Sequence, residues 1–153
     1  MSTKFKTITF NNRKKQFQCV YTSGKQVTLH FGQLGIRKNI VRAWIDKETG
    51  KCSVGFELSD GSVDFMPYDQ PLALTRDPDF LLQTHIEIMT TRINEEIKRR
   101  GVSKRYLAEK LATSDNQVQR LLNPKILNKN LEQLYRIAAL LGLEFEWQLK
   151  KVA

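Results

Sequence analysis

Residues 104–123 read KRYLAEKLATSDNQVQRLLN, and this stretch decides the fold predicted for the second half of the chain. Ala108 and Ala112 are small, and Val118 follows six residues later with a β-branched side chain. Two short helices that cross steeply need a small residue where their backbones approach and another at the turn. They also need an apolar residue that seals the second helix onto the first. The remaining apolar positions of the pattern are all leucines: Leu107, Leu111, Leu121 and Leu122.

This spacing is typical of a helix-turn-helix, the motif that places its second helix in the major groove of DNA. An ordinary helical hairpin without a DNA-binding role is the alternative. Ser103 and Ser114 are favourable N-caps for helices predicted over residues 104–112 and 115–122. Gln117 stands three residues after Ser114, which predicts a capping box at the start of the second helix.

The flanking segments extend the helical region in both directions. Apolar residues at helical spacing predict a helix over residues 78–100, with Asp77 as its cap, and another over residues 131–141, which ends before Gly142. From Leu143 to Leu149, apolar residues alternate with Glu and Gln, which predicts a short strand. We therefore expect residues 78–153 to form a domain of four to five helices that ends in a short β-strand.

The first 70 residues show a different pattern, because apolar and polar side chains alternate in short runs. Turn signals such as Ser23-Gly24 and Asp60-Gly61 separate the runs and favour antiparallel hairpins. The predicted strands are Phe5–Phe10, Phe17–Tyr21, Gln26–Phe31, Ile40–Ile45, Cys52–Leu58 and Val63–Phe65. The predicted fold class is therefore α+β, with an antiparallel β-sheet domain over residues 1–70 that buries one face of its sheet.

Composition narrows the functional classes. The net charge is +9, and residues 1–77 hold 12 Lys and Arg against 7 Asp and Glu, while residues 78–153 hold 13 against 9. A basic chain favours an anionic partner such as nucleic acid, and here both halves contribute. No apolar run approaches the roughly 18 residues of a membrane span, and MSTKFKTITF lacks the apolar block of a secretory signal. Cys19 and Cys52 lack CxxC spacing and are expected to be thiols of a cytoplasmic protein.

The sequence predicts neither an enzyme nor a cofactor or metal site. His30 and His85 are the only histidines, and neither has a neighbouring ligand pattern. The chain contains no nucleophile motif and no phosphate-binding glycine loop. Each histidine is therefore expected to be structural.

Residues 84–150 resemble the Xre/Cro-like helix-turn-helix family of bacterial and phage regulators, antitoxin-type members included. The resemblance rests on RYLAEKLATSDNQVQRLLNP followed by LEQLYRIAALLGLEFE. Ala112 stands where the family usually has Gly, which predicts a turn with negative φ, and Thr113 replaces a common aliphatic residue, which predicts looser packing. The run VGFELSDGSVDFMPY is similar to a small bacterial β-rich domain of unknown function, which transfers no chemistry.

The candidate DNA-binding residues fall into two groups. The helix that begins at Ser114 would present Asp115, Asn116, Gln117, Gln119 and Arg120 to base edges. Asn and Gln can bond adenine and Arg can bond guanine, each in a bidentate way. Asp115 would accept from a cytosine amine, or it would stabilise the helix N-terminus. The predicted phosphate contacts are Lys104, Arg105, Lys125, Asn128 and Lys129, with Asn130, Arg99 and Arg100 extending the same edge.

These features predict a sequence-specific repressor that binds double-stranded DNA as a homodimer on a palindromic operator. The alternative is an antitoxin or adaptor whose β domain binds a partner protein, such as a toxin, while the helix-turn-helix gives autoregulation. A β domain that senses a small ligand is a third option. Residues 143–149 are expected either to mediate dimerisation or to join the N-terminal sheet.

Overall fold

A computed structural model describes residues 3–152 and confirms the mixed α+β class. The strands are β1 (Phe5–Asn11), β2 (Gln16–Tyr21), β3 (Gln26–His30), β4 (Ile40–Asp46), β5 (Ser53–Leu58) and β6 (Val63–Pro67). The helices are α1 (Asp69–Leu74), α2 (Pro78–Arg100), α3 (Lys104–Lys110), α4 (Asp115–Leu122) and α5 (Leu131–Leu140). Two compact units divide between Leu81 and Leu82, near the start of α2.

The strands of the first unit form two antiparallel sheets, with the orders β1-β2-β3 and β4-β5-β6. The prediction of a single sheet was therefore wrong. The chain leaves β3 through a short 3-10 helix, Phe31–Leu34, instead of a hairpin turn. Asn12 then takes both backbone groups of Ile40: its side-chain amide donates to the Ile40 carbonyl, and its oxygen accepts from the Ile40 N–H, each at 2.8 Å. Asn12 thus connects the turn after β1 to the first residue of β4 through its side chain, while the two sheets share no strand.

Aromatic rings fill the core of the first unit. The ring of Phe17 on β2 lies 5.0 Å from that of Phe31 and 5.4 Å from that of Phe56 on β5, measured between centroids. Phe5 and Tyr21 stack at 4.9 Å. Burial raises the pKa of the Cys19 thiol on β2 to about 12, so this thiol is held protonated. The helix α1 that follows β6 was not predicted from the sequence; its Pro71 and Leu72 are buried.

The helices of the second unit bury an aliphatic core. The buried residues come from α2 to α5 and the turns beside them: Ile93, Leu107, Ala108, Leu111, Val118, Leu121, Leu122, Leu134, Ile137 and Leu141. Helices α2 and α4 have the bounds predicted from the sequence, and α3 and α5 end slightly earlier. Gly101 and Gly142 follow α2 and α5 with φ of +66° and +68°, the left-handed conformation that ends a helix and suits glycine.

The predicted C-terminal strand is absent from the described part of the tail, residues 143–152. The only backbone hydrogen bond that links this segment to the rest of residues 3–152 runs from the Leu143 N–H to the Ala138 carbonyl, at 2.8 Å. Phe145 packs on Tyr135 of α5, with ring centroids 4.7 Å apart. The tail therefore has side-chain contacts but lacks a neighbouring strand, and a strand needs a partner for its backbone groups.

Candidate nucleic-acid interface

Helices α3 and α4 are each started by a serine, as the sequence predicted. The Ser103 hydroxyl accepts from the Tyr106 N–H at 3.0 Å, and the Ser114 hydroxyl accepts from the Gln117 N–H at 3.2 Å. Ala108 of α3 and Val118 of α4 are both buried, so the two helices close on the small and β-branched residues of the motif. Caps and core together fix the orientation of α4 on α3.

The turn between these helices departs from the sequence prediction. Ala112 has φ of +50°, a left-handed conformation, whereas a negative φ was expected. The Thr113 N–H returns to the Ala108 carbonyl at 2.9 Å, which closes the end of α3 and requires the chain to reverse at Ala112. A side chain with a Cβ carries a cost of about 1–2 kcal/mol in this conformation. The motif thus tolerates local strain at Ala112, in the turn between α3 and α4.

The outer face of α4 consists of Asn116, Gln119 and Arg120. All three residues are exposed, and their side chains make no hydrogen bond or ion pair within residues 3–152. The i, i+3 and i+4 spacing places them on one side of the helix, opposite the buried Val118, Leu121 and Leu122. The face therefore combines amide and guanidinium groups, the two kinds of donor and acceptor that read base edges in the major groove.

Gln117 is held by the protein more firmly than the sequence predicted. The bond from its backbone N–H to the Ser114 hydroxyl forms one half of the expected capping box. The other half is missing, because its side-chain amide donates to the Gln133 side-chain oxygen, at 3.0 Å, and does not bond Ser114. Gln133 lies in the first turn of α5, where its N–H donates to the Asn130 side-chain oxygen at 3.1 Å. This chain of bonds orients the Gln117 amide and links the N-terminal turns of α4 and α5.

Lys129 was predicted as a phosphate contact, and the structure places its ammonium on the end of α4. The ammonium donates to the carbonyls of Arg120, at 2.7 Å, and Asn123, at 2.6 Å. Burial, and then the charge of Arg120, lower the pKa of Lys129. These bonds satisfy carbonyls that the end of a helix leaves without partners. Lys129 therefore has a structural role whether or not it also meets a phosphate.

A polar cleft adjoins this lysine. It has a volume of about 280 Å³ and is lined by Gln117, Arg120, Leu121, Asn128, Lys129 and Asn130. Lys125 and Asn128 are exposed in the loop between α4 and α5. The cleft therefore joins the outer face of α4 to three of the polar residues predicted to hold phosphates.

The basic residues at the other edge differ in their partners. Lys104, at the start of α3, is exposed and forms no ion pair within residues 3–152. Arg105 lies 3.5 Å from Glu109, and both side chains are exposed, so this pair contributes little stability. Arg99 and Arg100 both bond Glu96, and the bond from Arg99 is the main cause that lowers the pKa of Glu96 to about 2. Lys104 is thus free to bind an anion without breaking an internal pair.

Sequence reasoning missed one residue that positions the site. The side-chain amide of Asn94, on α2, donates to the Leu122 carbonyl at the end of α4, at 3.0 Å. Together with Lys129, this bond fixes the C-terminal end of the helix. No local pattern marks Asn94, because its partner lies 28 residues away along the chain.

Residues 3–152 contain no cluster of His, Cys, Asp and Glu that could hold a metal ion. None of their helices combines the length and apolar character that crossing a bilayer requires.

Comparisons with models of known protein families, with curated proteins and with solved structures found no match to this chain.

Proposed function

We propose that this protein is a sequence-specific DNA-binding transcriptional regulator, a repressor that acts as a dimer on a palindromic operator. The observation that carries the proposal is the outer face of α4. Three side chains that can read bases, Asn116, Gln119 and Arg120, are exposed together and have no partner within the described residues. Caps at both ends and a buried aliphatic face hold the helix that carries them.

In this proposal, α4 lies in the major groove. Arg120 bonds O6 and N7 of a guanine, and Asn116 or Gln119 bonds N6 and N7 of an adenine. Asp115 lies in the first turn of α4, where its negative charge favours the positive end of the helix dipole. Gln117, fixed by Gln133, adds a preoriented amide beside the reading face.

Phosphate contacts fall on both sides of α4. Lys104 lies before it and Lys125, Asn128 and Lys129 lie after it, with Arg105 near Lys104 on α3. Such contacts set the register of the protein on the duplex, while base contacts set the sequence preference. The net charge of +9 adds a sequence-independent attraction that weakens as salt rises.

The proposal is tested by selecting genomic fragments, the protein's own promoter region included, for binding at several salt concentrations. Footprinting of the selected fragments should show two symmetric half-sites about one helical turn apart. Arg120→Ala should weaken binding to the selected site by about tenfold or more, since a bidentate base contact contributes roughly 1–3 kcal/mol. Gln119→Ala should act in the same direction. Binding without sequence preference at every salt concentration contradicts the proposal.

Arg136→Ala is the matched control. Arg136 is an exposed arginine on α5 whose single ion-pair partner among residues 3–152 is the exposed Glu132. Its loss should leave the sequence preference unchanged. A loss of preference equal to that of Arg120→Ala would show that the effect reports general charge and not base recognition.

A second candidate function concerns the first unit. On β6, Val63 and Phe65 alternate outward with exposures of 47% and 52%, beside Trp44 of β4, so this sheet face carries an exposed apolar patch. Exposed patches of this kind often contact proteins. The patch on this sheet therefore favours the antitoxin or adaptor function, in which the first unit binds a partner protein and DNA binding by α4 serves autoregulation.

Co-expression with the products of neighbouring genes tests this candidate. A stable complex that Phe65→Asp dissolves, and that the surface variant Lys47→Asp leaves intact, supports it. A chain that forms only a stable homodimer under these conditions counts against it.

A further inference from the structure

The tail that follows α5, residues 143–152, has one backbone hydrogen bond to the rest of the described chain, from the Leu143 N–H to the Ala138 carbonyl. Its backbone lacks a strand partner within residues 3–152, although its side chains alternate as in a strand. Trp147 is 57% exposed and Leu149 is fully exposed, at 102%. A segment with strand-like alternation and unpaired backbone groups can pair with another strand.

Side-chain contacts hold the first part of the tail against α5. Phe145 packs between Tyr135, at 4.7 Å, and Trp147, at 6.1 Å between ring centroids. The indole N–H of Trp147 donates to the Tyr135 hydroxyl. Because the rings fix the segment against α5, its free backbone groups are ordered in advance, which lowers the entropic cost of adding a strand.

The charges of the tail are divided between its two ends. Glu144 and Glu146 lie in the first half, and Lys150 and Lys151 lie in the second half. An antiparallel pair of identical tails therefore sets acidic residues of one copy against basic residues of the other. A parallel pair would set like charges side by side, which is destabilising.

We propose that the tail pairs in antiparallel fashion with the tail of a second copy, centred on Trp147. This register places Glu144 of each copy opposite Lys150 of the other, and Phe145 opposite Leu149. Shifting the centre to Glu146 would set the two Glu146 carboxylates against each other. The inference gives a structural basis to the dimer of the proposed function and rests on that function for its purpose.

A groove beside the tail supplies space for the second copy. It has a volume of about 470 Å³, and its walls include Ile88, Met89 and Arg92 of α2 together with Phe145 and Trp147. Ile88 is 54% exposed there. In the proposed register, Leu149 of the second copy lies opposite Phe145, so its side chain enters this groove and loses its contact with water. Burial of these apolar groups favours association.

Sedimentation velocity of the full chain, without DNA, tests the pairing. The wild type should be a dimer at micromolar concentration, and Leu149→Asp should be a monomer there. Val152→Asp is the matched control, because Val152 is exposed in the same tail but lies beyond the paired residues. It should leave the dimer unchanged. Far-UV circular dichroism checks that both variants keep their helices.

Charge reversal tests the register. Glu144→Lys and Lys150→Glu should each weaken dimerisation by about tenfold, since each reversal turns two attractive cross-strand pairs into repulsive ones. The double variant Glu144→Lys/Lys150→Glu should recover dimerisation to within about threefold of the wild type. Failure of this rescue, or rescue by Glu146→Lys/Lys150→Glu in its place, would overturn the register.

Other outcomes overturn the pairing itself. The pairing is wrong if the wild type is a monomer, or if the Leu149→Asp variant still dimerises. It is also wrong if hydrogen exchange shows that the tail amides of a monomer are protected by a strand of the same chain. The outcome for DNA is separate. A monomer that selects a half-site would leave base recognition by α4 standing and remove the dimer from the proposed function, whereas a tail-paired dimer without sequence preference would leave only the pairing.

Discussion

The outer face of the sheet β4-β5-β6 and the outer face of α4 use polar side chains in opposite ways. On the sheet, the Trp44 ring covers Gly55, and the Arg42 guanidinium lies 4.8 Å from the ring centroid while bonding Glu57. On the outer face of α4, the amides of Asn116 and Gln119 and the guanidinium of Arg120 have no partner within residues 3–152. Groups with internal partners must break those bonds before they can bind a ligand. Groups without them are available to a ligand, and this difference separates the scaffold from the candidate interface.

The two cores differ as well. In the first unit, rings such as Phe17 and Phe56 span the space between strands, whereas in the second unit Ala108 lets two helix backbones approach. Packed sheets lie about 10 Å apart and need large side chains between them. Short helices that cross steeply need small ones. A substitution that removes a large ring from the first core, or that enlarges a small residue in the second, should therefore destabilise only the unit in which it lies.

The largest effect is expected for Phe17→Ala, because it removes a fully buried ring that contacts two others. Losses of this kind cost about 3–5 kcal/mol. The chain has two tryptophans, and Trp44 lies in the first unit. Denaturant unfolding followed by Trp44 fluorescence, in a Trp147→Phe background, measures the effect. Phe65→Ala is the control, because Phe65 is 52% exposed and should change stability far less. Equal effects would contradict the core described for this unit.

Lys129→Ala should have the next largest effect. It removes two hydrogen bonds from a charged donor to the end of α4, and bonds to charged groups contribute about 1.5–3 kcal/mol. Thermal unfolding of the variant, with the exposed Lys125→Ala as control, gives the difference. If Lys129→Ala keeps full stability but loses affinity for every DNA sequence alike, the residue acts mainly on phosphate, as the sequence predicted.

Most of the secondary structure could be predicted because hydrophobic periodicity is local. The bounds of α2 and α4 follow from their caps and apolar spacing, and the strands follow from alternation. The division into two sheets could not be predicted in this way, because alternation marks the strands but not which of them share a sheet. Alternation was also insufficient for residues 143–149, since a strand requires a neighbour that the sequence does not supply.

In the candidate site too, some features could be predicted from the sequence and others could not. Residue type and helical spacing were enough to predict the exposed Asn116, Gln119 and Arg120, because burial on one side of a helix leaves the other side in solvent. The partners of Gln117 and Lys129 were not predictable, because Gln133 and the end of α4 approach them only in the folded chain. Polar side chains that serve the fold resemble those that serve a ligand until their partners are known.

A smaller effect is expected for Asp77→Ala. Asp77 caps α2 by accepting from the Phe80 N–H at 3.0 Å and pairs with Lys25 at 2.7 Å. Burial alone would raise the pKa of Asp77, but the bonds from Lys25 and Phe80 outweigh it, so the pKa is lowered. Loss of such a cap costs about 0.5–2 kcal/mol.

The lowered pKa of Asp77 determines how its contribution to stability changes with pH. Because the pKa of Asp77 is lower in the folded chain, its contribution is present above the ordinary Asp pKa of about 3.9 and is lost as pH falls through the folded value. The gap between wild type and Asp77→Ala should therefore be constant from about pH 5 to 8 and narrow below about pH 4. Asp79→Ala separates the ion pair from the cap, since the 70% exposed Asp79 carboxylate also bonds Lys25, at 2.6 Å, whereas the Phe80 N–H bonds Asp77; it should therefore cost less than Asp77→Ala. A gap that widened in acid would contradict the lowered pKa.

The smallest effect is expected at the turn before α4, where Ala112→Gly should stabilise the second unit by up to about 1 kcal/mol. Glycine adopts φ of +50° without the steric cost that a Cβ adds, although it loses more entropy on folding. Ala139→Gly, on the exposed side of α5, should instead destabilise by about 1 kcal/mol, because its backbone is helical. Opposite signs for the two substitutions, measured by thermal unfolding, are the expected result. If both destabilise, the left-handed turn does not form in solution, and the orientation of α4 on α3 would have to differ from the one that exposes Arg120.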